Sequence, residues 1–106
     1  MIHAFHKKLY LGFLNMHILH HASQEPIYGL WMIEELNHHG YEVGASHIYP
    51  LLKSLTDEGY LLMEPKQTEG RIRKYYRITT QGLHLLEELK HKLKELIAEV
   101  YEDEHV

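Results

Sequence analysis

The sequence predicts a mainly α fold with one small β-hairpin, an α+β chain, and three observations carry that expectation. Apolar residues recur at helical spacing in three successive segments; two strand-like runs flank Gln67–Gly70; and the last quarter of the chain bears a leucine stripe in alternating steps of three and four. With 106 residues, 44% of them hydrophobic and 25% charged, the composition is that of one structural domain. A chain this short hides only roughly 60 to 65% of its unfolded surface on folding, so association is the expected source of further stability.

Phe5, Leu9, Met16 and Leu19, with Leu11, Leu14 and Ile18 as a second strip, predict a mostly buried first helix over about residues 3 to 21, ending near Ala22. Ser23 to Pro26 reads as a connector, and Pro26 ahead of Ile27-Tyr28-Gly29 favours a fresh helix start. That second helix carries Leu30, Ile33 and Leu36 and stops at Gly40. A third helix, about Ala45 to Glu58, is striped by Ile48, Leu51, Leu52 and Leu55, with Gly44 or Ser46 as its cap and Gly59 as its stop. Pro50 lies inside it, deletes one backbone hydrogen bond and is expected to bend its start.

Leu61 to Lys66 and Arg71 to Ile78 then read as strands joined by Gln67-Thr68-Glu69-Gly70. The second strand alternates Arg71, Arg73, Tyr75 and Arg77 on one face with Ile72, Lys74, Tyr76 and Ile78 on the other. Thr79 caps a last helix whose Leu86, Leu89, Leu93, Leu96 and Val100 form a coiled-coil seam of two heptads. A helix of about 20 residues is about 30 Å long, more than so small a body covers, so the seam is expected to meet a second subunit. Residues 102 to 106 are expected to fray, because Glu102, Asp103 and Glu104 oppose the helix dipole.

Composition excludes several classes. Cysteine is absent, which removes disulfides, thiolate zinc sites and thiol nucleophiles. No apolar run approaches the roughly 18 residues of a membrane span, and no targeting pattern opens the chain, so a cytoplasmic location without membrane contact is expected. Net charge is −4 with histidine neutral, but its distribution is uneven. Residues 1 to 82 hold eight Lys/Arg against eight Asp/Glu, residues 83 to 106 three against seven, and residues 66 to 77 carry a local +4. The acidity belongs to the tail and the basic charge to the hairpin.

Three helices followed by a hairpin make a winged helix-turn-helix, here with a long C-terminal dimerisation helix, in which the third helix enters a DNA major groove and the wing meets flanking backbone. The wording of the elements narrows this further. Pro26-Ile27-Tyr28-Gly29 opens helix two, Ile48-Tyr49-Pro50-Leu51-Leu52-Lys53-Ser54-Leu55 forms helix three, Glu58-Gly59-Tyr60-Leu61 follows, and Arg73-Lys74-Tyr75-Tyr76-Arg77-Ile78-Thr79 leads through Gly82 into helix four. Over about residues 9 to 100 the chain resembles the PadR-like transcriptional regulators, in particular the short subfamily with a single C-terminal helix. The resemblance implies a winged-helix part (1–78), a C-terminal dimerisation helix (79–106), a homodimer built on the first and last helices, and usually a repressor released from its operator by a small molecule. Ser46 stands where the family commonly has glycine, and Leu30-Trp31 replaces its usual tyrosine followed by an acidic or polar residue.

On helix three, Ser46, Pro50, Lys53 and Asp57 lie opposite the apolar stripe, with His47, Tyr49 and Ser54 on the shoulders. Ser46, His47, Tyr49, Lys53 and Ser54, with Arg71, Arg73 and Lys74 of the wing, are the candidate contacts to double-stranded DNA, an inverted-repeat operator. Leu86, Leu89, Leu93, Leu96 and Val100 are the candidate dimer interface. Tyr10, Phe13, Asn15 and His17 of one chain facing Leu93 and Ile97 of its partner, together with Leu89 and Leu96, form a candidate pocket for a flat or cationic aromatic effector.

Eleven histidines are scattered along the chain. His17 and His21, at i and i+4, are spaced to share a metal ion, but no third ligand converges on them in sequence, so no metal and no cofactor is assigned. His38-His39 at the end of helix two suits the helix dipole. No phosphate loop, nucleophile elbow or carboxylate pair beside histidine appears, so no enzymatic activity is expected. A metal-responsive regulator, or a dimerisation or adaptor module on the same fold that does not bind DNA, are the alternatives.

Overall fold

In a computed structural model, residues 4–102 are described, with side chains from residue 6 onward; the expected burial of Phe5 and the fraying beyond Glu102 lie outside them. The order is α1 (Ala4–Gln24), α2 (Gly29–His38), α3 (Ala45–Asp57), β1 (Leu61–Thr68), β2 (Arg71–Ile78) and α4 (Thr80–Glu102). Every element contributes to one core: Leu14, Ile18, Leu19 and Ala22 of α1, Met32 and Leu36 of α2, Ile48, Leu52 and Leu55 of α3, Leu61 and Tyr76 of the hairpin, Leu86 of α4, and Ile27 from the connector.

The first helix runs past its expected end to Gln24 because Ala22 is itself part of the core and Ser23 Oγ donates to the His20 carbonyl. Its N-terminal half is not mostly buried as the pattern suggested, since Leu9 and Phe13 stand half-exposed. The second helix starts two residues later than Pro26 implied. Ile27 is instead extended and exchanges two hydrogen bonds with Tyr76, N–H to O at 2.9 Å and 2.7 Å, so it adds a one-residue third strand to the wing. Helices α2 and α3 end before Gly40 and Gly59, both in the left-handed region at φ 90° and 86°.

Of the two expected caps for α3, Gly44 holds the position. Its N–H donates to Nδ1 of His47 at 3.1 Å, the reciprocal half of a capping box with an imidazole in place of the usual carboxylate. The helix runs unbroken through Pro50 to Asp57. Asn37 pins the turn into α3: its Nδ2 donates to the carbonyls of Ile33 and Val43, and its Oδ1 accepts from Val43 N–H.

The hairpin is longer than expected, pairing Leu61 with Ile78 through to Thr68 with Arg71, so the turn itself is only Glu69-Gly70. Both turn residues have positive φ, 50° and 79°, the requirement of a two-residue turn that follows the strand twist. Pro65 is tolerated because β1 is ladder-paired on one side only, with β2. At the far end Thr79 caps α4 as expected: its Oγ1 accepts from Gly82 N–H at 3.0 Å and donates to the Gly59 carbonyl at 2.6 Å. Gly82 is needed there, since a Cβ would stand 2.6 Å from Cγ1 of Ile78 and overlap the Tyr60 carbonyl.

A compact chain of this length has a radius of gyration of about 13 Å. This one has 15.4 Å and extends 59 Å along its longest axis, because α4 outruns the body. Leu96, Ile97, Val100 and Tyr101 consequently stand about half exposed. No helix among the described residues is long and apolar enough to cross a membrane.

Candidate nucleic-acid interface

The inner stripe of α3, Ile48, Leu52 and Leu55, is buried, which fixes the helix rigidly and turns Ser46, Pro50, Lys53 and Asp57 outward. Lys53 Nζ is 2.7 Å from Asp57 Oδ2, one turn along the helix, and this hydrogen bond raises the Lys53 pKa. His47 is half-buried, and with its Nδ1 accepting from Gly44 the neutral ring carries its proton on Nε2, the nitrogen not used in the cap. Tyr49 is half-exposed, yet its ring lies flat against α2: a Cβ on Gly29 would fall 2.6 Å from Cζ and 2.7 Å from the hydroxyl. Burial, and next the nearby Tyr49, push the Tyr76 phenol up. Ser54, on the other shoulder, lines the groove against α1 and α4.

The cationic hairpin is sorted into neutralised and free charges. Arg77 Nε is 2.6 Å from Glu64 Oε1 across the strands. The Arg73 guanidinium sits 4.1 Å over the Tyr28 ring, Tyr28 meets Tyr75 edge-on at 5.5 Å, and Lys66 Nζ lies 5.8 Å above Tyr75. This alternating stack ties the wing to the start of α2. Arg71 and Lys74 extend from the hairpin exposed, without an ion-pair partner among the described residues. Tyr28, Tyr75 and Lys66 were not singled out in the sequence; the strand alternation that puts Arg73 and Tyr75 on one face was the available signal.

Of the candidate interface stripe, Leu86 is only 5% exposed in the single chain and belongs to its core. It follows Gly82 into the body, where α4 is still covered by the chain's own residues. Leu89 and Leu93 are partly buried against α1 of the same chain, and Leu96 and Val100 are half-exposed.

The candidate effector residues are not all brought together. Phe13 and Asn15 line a groove of about 560 Å³ between α1, the end of α3 and α4, together with Met16, Leu89, Leu93 and Leu96. Asn15 Nδ2 is held by the Leu11 carbonyl. Tyr10 and His17 turn to the opposite flank of α1, where both meet the Tyr41 ring edge-on, at 5.8 Å and 5.3 Å. Ile97 is outside this groove and shares a shallow cleft with Leu93, beside Lys90 and Lys94. Of Tyr10, Phe13, Asn15 and His17, Phe13 alone borders both flanks of α1, lining the cleft beside Tyr10 and Tyr41 as well as the groove against α4.

A rigidly seated outward helix beside a cationic two-stranded wing defines a transcriptional regulator of the winged helix-turn-helix class. The chain belongs to the PadR-like family of transcriptional regulators, whose model matches residues 18–88. It is 40% identical over 87 residues to the transcriptional regulator Rv3488 of Mycobacterium tuberculosis, covering 82% of this chain and 81% of that one. Among solved structures it is similar to a PadR-like transcriptional regulator from Bacillus cereus (36% identity, TM-score 0.81, 90% of this chain and 94% of that one). A PadR family regulator from Eggerthella lenta aligns at 34% identity with TM-score 0.80, over 90% of this chain and 84% of that one. These relatives are transcriptional regulators and not enzymes.

Proposed function

We propose that the chain acts as a homodimeric, sequence-specific DNA-binding repressor whose release from an inverted-repeat operator is driven by a small aromatic molecule. The observation that carries this is the pairing of an exposed polar face on α3 with the exposed cations Arg71 and Lys74 on the adjoining wing. Ser46, His47, Tyr49 and Lys53 enter successive major grooves about 34 Å apart, Ser54 adds a contact at the helix's outer shoulder, and Arg71, Arg73 and Lys74 lie along phosphates. The Nε2–H of His47 donates toward a base edge, while Nδ1 holds the helix start. The dimer rests on the exposed part of the leucine stripe, Leu96 and Val100, continued by Leu89 and Leu93. In this reading the protein works in the cytoplasm.

The effector site in this reading is the groove of Phe13, Asn15, Leu89 and Leu93, whose volume suits a small planar ligand and whose walls are apolar with a few polar groups. Such a ligand weakens operator binding only if it prefers dimers with misplaced recognition helices.

The test is binding to fragments of the source genome across a salt series. If each protomer neutralises about three phosphates, log K falls with log salt at a slope near −5. Lys74→Ala weakens all sequences alike and flattens that slope, whereas Ser46→Ala changes the preference among sites. Salt-independent binding, or binding to no fragment, overturns the DNA reading and favours an adaptor module. Phe13→Ala removes the response to aromatic ligands while leaving DNA binding intact; an unchanged response moves the effector site elsewhere.

A further inference from the structure

On the flank of α1 away from that groove, two helical pairs face each other. His17 and His21 are one turn apart on α1, and Glu35 and His39 one turn apart on α2. Nε2 of His39 lies 3.0 Å and Nε2 of His21 3.6 Å from the same atom, Oε2 of Glu35. The three atoms lie within 4.8 Å of one another. The His17 ring is beside them, its centroid 5.3 Å from that of His39 and 6.3 Å from that of His21, nearly parallel to the latter.

We propose that His21, Glu35 and His39 form a binding site for a divalent transition-metal ion of the zinc class, with His17 placed as its fourth ligand. Geometry is the first argument. Zinc bonds of about 2.0 to 2.1 Å in tetrahedral arrangement put ligand atoms about 3.3 to 3.5 Å apart. The two carboxylate separations, 3.0 Å and 3.6 Å, bracket that value, and all three ligand atoms lie within 4.8 Å of one another, so side-chain rotation alone closes the site around an ion. The donor set is the second. Two imidazoles and one carboxylate suit zinc, cobalt, nickel or copper, and are a poor match for magnesium or calcium, which take oxygen ligands.

Accessibility agrees. The three side chains are 17%, 29% and 50% exposed, so the cluster is anchored on its inner side and open to solvent at His39. Coordination through Nε2 requires that each ring carry its hydrogen on Nδ1. The bound ion would clamp α1 to α2, the helix from which Asn37 positions the turn into α3. The site stands whether or not the chain binds DNA.

Trp31, the chain's only tryptophan, reports on it directly, since its ring lies 5.3 Å from that of His21. Untagged full-length protein, stripped of metal, is titrated with Co2+ while Trp31 emission and the cobalt absorption bands are followed, and Zn2+ is then added to compete. Expected are saturable quenching at one Co2+ per chain, bands of a low-coordinate nitrogen and oxygen site, and reversal by Zn2+. Glu35→Gln and His39→Ala each lower the affinity at least roughly tenfold, while the paired change His84→Ala and His91→Ala on α4 leaves it unaltered. His39 is half-exposed, so its removal spares the fold, which a thermal melt of the variant verifies. The proposal is overturned by His39→Ala binding with wild-type affinity, by equal loss in the α4 variant, or by quenching that never saturates.

Discussion

The leucine stripe of α4 yields a prediction that separates folding from association within one helix. Leu86 is 5% exposed and Leu96 55%. Truncating a buried leucine leaves a cavity, so Leu86→Ala should cost about 2 to 5 kcal/mol of folding stability in each chain. Leu96 has only half of its side chain left to bury, and full burial of a leucine is worth about 1.5 to 3 kcal/mol, so a partner subunit gains about 1 kcal/mol from it. Two copies make about 2 kcal/mol per dimer, and at 1.4 kcal/mol per decade Leu96→Ala should weaken dimerisation about thirtyfold. Sedimentation equilibrium over a concentration series measures the dimer constant, and urea unfolding of dilute protein measures the monomer. Leu96→Ala should move the first and spare the second. A Leu96→Ala protein with the wild-type dimer constant would refute the placement of the far half of α4 in the interface. A Leu86→Ala protein that unfolds like wild type would refute the seating of the near half in the core.

Other predictions rest on single contacts. Gly29→Ala should cost about 1 kcal/mol, near the low end of overpacking because the crowded Tyr49 ring tip is free to swing outward; in a Tyr49→Ala background the cost should vanish, and a cycle without coupling would mean the ring does not lie there. Thr79→Ala removes both a helix cap and the bond to the Gly59 carbonyl, so a loss of about 1 to 2 kcal/mol in urea unfolding is expected, and a loss below a few tenths would contradict the cap. The metal-free protein should lose stability on acidification: His17 and His21 have lowered folded pKa values, so below the unfolded value of about 6.5 the unfolded chain binds protons first. That contribution is complete above about pH 6.5 and fades as pH falls through it toward the folded values, which urea midpoints with and without His17→Gln measure; identical slopes in the two proteins would remove the assignment.

The elements legible in the sequence were those whose signals are local. The Thr79 cap, the Gly59 stop and the stripe of α3 each depend on residues within one or two turns, and each sits where the pattern put it. What failed was decided by distant partners. Pro26 reads as a helix start, yet Ile27 is drawn into an extended bridge by Tyr76, 49 positions away. A heptad stripe says that Leu86 and Leu96 share a face of α4, and says nothing about where along the helix the body stops covering that face. The same gap hid the cluster of His21, Glu35 and His39. His17 and His21 were visible as a pair, but Glu35 and His39 converge on them only because α1 and α2 cross at that turn. Arg73 presents the converse case. As a wing cation it reads as a free phosphate ligand, whereas stacking on Tyr28 gives it a place in the fold as well.

On the two proposals above, α1 is the element through which both ligands would act on α3. Helix α3 is fixed to the body by Ile48, Leu52 and Leu55, all buried, so a ligand does not easily bend or retract it. What a ligand alters at lower cost is how α1 and α4 lie against that body, because the groove between them is open and half-lined by exposed side chains. A molecule wedged between Phe13 and Leu93 also touches Ser54, Leu55 and Glu58 at the end of α3, so it bears on the recognition helix and on the proposed subunit contact together. An ion at His21, Glu35 and His39 would act from the opposite flank and tie α1 to α2 instead. The two ligands would then act on the position of one helix without sharing a side chain. If each prefers a different position, their binding must be antagonistic, and by linkage each weakens the other by the same factor.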